Sequence, residues 1–137
     1  MKSNFYFNWP LLVAVFLLGH VSASRSNEKF IKNVNCIATS GNQNYCNVFL
    51  QDCTNELPDK YSEAYKECLK ERFPNGISKC TTSQELFESA KKRRQLNDCI
   101  DDKVGNYQLN RIDELRFSFF HKCTSQLAKL LGCQAPK

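Results

Sequence analysis

The chain has 137 residues, a formal net charge of +5 and eight cysteines. That charge is too mild for a nucleic-acid binder, which carries a dense basic face. The length suits one domain large enough to bury a real core.

Lys2, the apolar run from Pro10 to Leu18, and Val21-Ser22-Ala23 read as a secretory signal cut after Ala23. The run is shorter than the roughly 20 residues a membrane-spanning helix needs. Residues 1–23 are therefore expected to be a signal peptide, and 24–137 a single helical, disulfide-rich domain. Of the charged residues only Lys2 leaves with the signal, so the rest carries +4. The lone Trp and Met leave too, as does His20, and His121 becomes the single histidine.

Phe30, Ile31, Val34, Ile37 and Ala38 fall at helical spacing, with Ser26 as cap and Gly41 as stop. Tyr45 to Glu56 reads as a second helix carrying Cys46, Phe49, Leu50 and Cys53 on one side. Pro58-Asp59 opens a third, Lys60 to Phe73, with Tyr61, Ala64, Tyr65, Cys68 and Leu69 inward. Thr82-Ser83-Gln84-Glu85 has the form of a capping box, predicting a fourth helix that runs to about Lys103. The longest periodic stretch is Leu109 to Gly132. Its stripe is Ile112, Leu115, Phe119, Cys123, Leu127 and Leu130, widened by Phe120 and Leu131. Asn110 is its cap, and Gly132 and Pro136 its end. On that phasing His121 lies opposite the stripe and faces water.

An even number of cysteines in an exported chain predicts four disulfides among Cys36, Cys46, Cys53, Cys68, Cys80, Cys99, Cys123 and Cys133. Cys46 and Cys53 are two helical turns apart, about 10.5 Å of rise. Bridged Cα atoms are rarely more than about 7 Å apart, so these two staple their helix to different elements. The same reasoning separates Cys123 from Cys133. The expected fold is all-α: a compact bundle of about five helices cross-linked by four bridges.

No catalytic constellation stands out. A single outward histidine beside Ser118 and Ser125 does not make a triad. Asp98, Asp101 and Asp102 lack the spacing of a calcium loop and read as a solvated helix end. The cysteines show no CxxC pair for zinc. No enzyme activity, metal or cofactor is expected. Lys91-Lys92-Arg93-Arg94 is the one dense basic run. It reads as a solvated helix side, a patch for acidic partners, or a dibasic processing site. Phe87 and Phe117 fit their stripes worst. With Lys91, Lys92, Arg93 and Arg94 they are the sequence's candidates for contacting a partner.

The cysteine spacing departs from that of insect odorant-binding proteins and plant lipid-transfer proteins. The general look, a signal followed by a short helical cysteine-rich body, resembles arthropod gland secretions such as venom or saliva. These features imply an extracellular recognition protein, toxin-like, immune or structural, with a protein or cell surface as target. The alternative is a carrier holding a small apolar ligand in a cavity lined by residues such as Phe49, Tyr65 and Phe119.

Overall fold

The computed structural model describes residues 27–133, and within them every regular element is a helix. The expected signal peptide, its cleavage site, the Ser26 cap and Pro136 lie outside the described residues. The first helix, α1, spans 27–38 and buries Ile31, Val34, Ile37 and Ala38, the periodic set of the sequence. Gly41 turns the chain with φ +65°.

Asn42 accepts from the Tyr45 N–H and caps α2, Gln43–Val48. The winding then loosens into a π turn, Phe49–Cys53, and tightens into a 3₁₀ turn, Thr54–Glu56. The single α-helix expected over 45–56 is thus one helical run that changes pitch twice and starts two residues earlier. The wide turn brings Phe49 and Cys53, with Leu57 just beyond, to the core side together. Pro58 leads into α3, Asp59–Arg72, which buries Ala64 and Cys68 and ends at Phe73.

The capping box does not open a helix. Thr81 Oγ1 accepts from the Ser83 and Gln84 N–H groups instead, closing a local turn. The segment then stays irregular to Ser89, which caps α4, Ala90–Val104, by accepting from the Lys92 N–H. The reason is burial. Leu86 and Phe87 both go into the core from this irregular backbone. The Leu86 N–H donates to Ala38 O and the Phe87 N–H to Ile77 O. Phe87 and Glu88 take left-handed backbone, φ +58° and +64°; burial of the Phe87 ring offsets the strain there, whereas Glu88 is exposed.

Gly105 breaks the chain, and Asn110 caps α5, Arg111–Leu130, by accepting from the Ile112 and Asp113 N–H groups. Gly132, φ +74°, ends it. The ends match the sequence, but the buried face does not. Phe120, Thr124, Leu127 and Ala128 are buried, together with Asp113. Ile112, Leu115, Phe119 and Leu130 are exposed at 70, 56, 47 and 70%. The buried face is turned about 100° from the predicted stripe, one residue's worth of helix.

The bridges join Cys36 to Cys133, Cys46 to Cys80, Cys53 to Cys123 and Cys68 to Cys99. Their Cα separations are 6.0, 6.3, 5.4 and 6.0 Å. Cys46 and Cys53 do go to different partners, as do Cys123 and Cys133. α3 packs on α4, and α5 on the π and 3₁₀ turns after α2. The Cys36–Cys133 bridge ties α1 to the chain just past α5.

Candidate functional site

The buried face of α5 carries more ring than neighbouring backbone can cover. Phe120 meets Phe30 of α1 at 5.4 Å and Phe49 at 6.5 Å between ring centroids. Phe117 meets Tyr61 of α3 at 4.7 Å. These are tilted, edge-rich contacts of the kind aromatic quadrupoles prefer. They hold the helices apart around a cavity of about 760 Å³. α4 closes another side with Leu96 and Ile100, and Asn27 and Asp101 form an exposed rim.

Burial shapes every shifted titratable group on this wall. It pushes the Tyr65 and Tyr61 hydroxyls up, Tyr61 with a further contribution from the Asp101 charge. It lowers His121 and raises Asp101, which Asp98 and Asp102 raise further. All four shifts favour the neutral form, the direction in which burial acts. His121 does not face water. Its ring lies 4.7 Å from Phe117, 5.1 Å from Phe30 and 5.6 Å from Phe120, half-buried among them.

The basic run is divided by the helix. Arg93 is buried at 3% exposure. Its Nε donates to Asn35 Oδ1 (2.6 Å), and its other nitrogens to Leu86 O (2.8 Å) and Glu85 Oε2 (3.0 Å). The fold takes in the whole guanidinium as well as the aliphatic stem. Arg94 pairs with Glu28 of α1 through both guanidinium nitrogens, at 2.8 and 3.1 Å. Lys92 lies 3.9 Å from Glu88 and over the Phe73 ring at 5.8 Å. Lys91 is exposed. Two members of the run therefore fasten α4 to α1 and to the 85–86 segment.

Phe87 is 2% exposed and packs on Phe73 at 5.7 Å and Phe49 at 6.5 Å. As a surface contact it is corrected, because the irregular 81–89 segment turns it inward, and so is Arg93, whose side of α4 faces Asn35, Leu86 and Glu85. Phe117 is half-buried in the cavity wall. It fitted its stripe badly because the stripe was phased one residue off. Phe49 and Tyr65, named from sequence as cavity residues, line the cavity, whereas Phe119 lies outside it. Asp101, Phe30 and His121 were missed there. The signal that could have found Phe117 and His121 together was the second apolar register of α5; Phe30 already stood in the periodic set of the first helix.

Among the described residues no three His, Cys, Asp or Glu side chains gather as a metal would need, and no helix is long and apolar enough to cross a membrane. No curated protein and no solved structure matches the chain. A family model described as Hi1a-like: U10-hexatoxin-Hi1a matches residues 24–134, which hold all eight cysteines. With most of its length under that match, this four-bridge helical chain belongs to the Hi1a-like toxin family.

Proposed function

We propose that the protein is an exported, non-enzymatic toxin-like factor that acts by binding an extracellular target. Its surface for that target is the outer face of α5. The observation that carries this reading is the exposure of Ile112, Leu115, Phe119 and Leu130 along one helix side, in a family named for a toxin. Exposed apolar side chains gathered on one helix side of a small extracellular protein mark a contact surface. Arg111, Lys122 and Lys129 lie along one edge of this row and are exposed. The row therefore suits an apolar target surface bordered by acids, where basic groups speed encounter. Export is supported by the four bridges, and by a family match that begins at Ser24, the residue after the expected cleavage site.

Leu115→Glu/Phe119→Glu tests the assignment in a toxicity assay and in binding of labelled protein to intact target cells. A loss of tenfold or more, with an unchanged circular-dichroism spectrum, supports it. Full potency in a folded double variant removes α5 from the contact. Lys91→Ala/Lys92→Ala tests the exposed part of the basic run separately and should have the smaller effect.

A further inference from the structure

We infer that the cavity between the helices is a binding site for a small lipophilic amine, its apolar body among the rings and its ammonium at Asp101. The inference is independent of target recognition by α5, which uses the opposite region of that helix.

Protein interiors pack densely and contain few voids larger than a water molecule. A space of about 760 Å³ lies within the range of pockets that enclose small organic ligands. Its wall is chiefly aromatic and aliphatic, with Phe30, Phe117, Phe120, Leu57 and Leu96 around the centre. An apolar ligand body would gain contacts with these walls.

The charges on the wall then select the head. Among the described lining residues Arg93 is the one fixed cation. Three of its donors are taken by Asn35, Leu86 and Glu85, so its charge is already matched and it offers no anchor for a carboxylate. His121 is held toward its neutral form by burial and adds no positive charge. Asp101 stands at the rim, its carboxylate accepting one hydrogen bond from Asn97 Nδ2 at 3.2 Å. Asp98 and Asp102 lie on the same helix end and add negative potential. Tyr61, whose hydroxyl feels the Asp101 charge, presents a ring to the same space. A carboxylate beside aromatic faces is the arrangement that holds an organic ammonium by ion pairing and cation–π attraction together. An anionic head would meet the Asp98–Asp101–Asp102 potential with no free lysine or arginine among the described lining residues to answer it.

The test is displacement of the neutral fluorophore N-phenyl-1-naphthylamine from the oxidised protein, with decylamine, decanol and decanoate as competitors. Decylamine should displace it at roughly tenfold lower concentration than the other two, the size of one ion pair worth about 1.4 kcal/mol. Asp101→Asn, a change at the exposed rim, should abolish that advantage and leave displacement by decanol in place. Native mass spectrometry should show one amine per chain. Failure of the fluorophore and of all three competitors to bind the folded protein overturns the site. Equal displacement by amine and alcohol, or preference for decanoate, overturns the head-group assignment. An amine advantage that survives in Asp101→Asn overturns the role of Asp101.

Discussion

Two interior groups carry most of the consequence at the scale of single residues. His121 is packed among Phe30, Phe117 and Phe120, and burial holds its pKa below the ordinary 6.5. The unfolded chain therefore takes up a proton at a pH where the folded one does not. Stability contributed by neutral His121 is complete above 6.5 and is lost as pH falls through the interval just below it. His121→Gln should flatten the dependence of the denaturation midpoint on pH between 7 and 5. With His20 in the expected signal, the titration is readable as one imidazole by NMR. Asp101 acts with the opposite sign lower down: its carboxyl is raised, so folding favours its protonated form just above 3.8. Arg93 is the other group. Arg93→Leu leaves Asn35 Oδ1 and the Leu86 carbonyl without their donor in the interior. It should lower unfolding free energy by about 3 kcal/mol in a denaturant titration with bridges intact. The half-exposed Glu85 partner makes up little of that cost, because it can turn to water.

At the scale of the element, α5 shows how an apolar pattern specifies a helix without specifying which side goes in. Two apolar rows run along it, Ile112-Leu115-Phe119-Leu130 and Phe117-Phe120-Leu127-Leu131, about 100° apart. Spacing alone favours the first, because with Cys123 and Leu127 counted in it the steps of three and four run unbroken from Ile112 to Leu130. The second wins because its companions are satisfied inside. Thr124 Oγ1 donates back to Phe120 O at 2.9 Å, and Asp113 Oδ2 accepts from the Tyr107 hydroxyl at 2.6 Å. Cys123 lies between the rows and is bridged to Cys53. Adjacent substitutions separate the two rows. Phe120→Ala should cost about 3–5 kcal/mol, as ring removal from a core does. Phe119→Ala should cost about 0.5 kcal/mol, as for a surface position. Equal losses in thermal melts would contradict the observed face. The 81–89 segment makes the complementary point. Its capping-box letters, Thr82 to Glu85, predicted a helix start there, but Thr81 takes the Ser83 and Gln84 N–H groups and the helix begins only after Ser89.

For the whole molecule, the bridges determine what the cavity can be. Cys36–Cys133 closes a separation of 97 residues and joins α1, which supplies Phe30, Ile31 and Val34 to the wall, to the end of α5. In the chain-entropy account a loop of this size is worth about 4.7 kcal/mol. Arg93 and Arg94 add side-chain links from α4 to the same helix through Asn35 and Glu28. Cys36→Ala/Cys133→Ala should therefore lower stability by several kcal/mol. It should also free α1 enough to abolish binding of the fluorophore before the remaining three bridges let the fold go. Hydrogen exchange would show this as loss of protection confined first to residues 27–38. Uniform loss along the chain would mean that α1 is not a separately detachable wall.

The sequence by itself determined the class of molecule: helical, exported by expectation, and closed by four cross-links. Helix ends at Asn110, Gly132, Pro58 and Gly41 were legible because capping and left-handed turns depend on neighbours in sequence. It also determined which pairings were impossible, since helical rise keeps Cys46 from Cys53 and Cys123 from Cys133. Which cysteine meets which was decided only by the tertiary structure. So were the face α5 buries, the inward turn of Phe87 and Arg93, and the cavity itself. The physical reason is the same in each case. Helix spacing and caps are local quantities, whereas burial is a comparison between whole arrangements. Two apolar rows on one helix are equivalent until a neighbouring ring, an Arg93 with three acceptors, or a distant cysteine makes one of them cheaper to enclose.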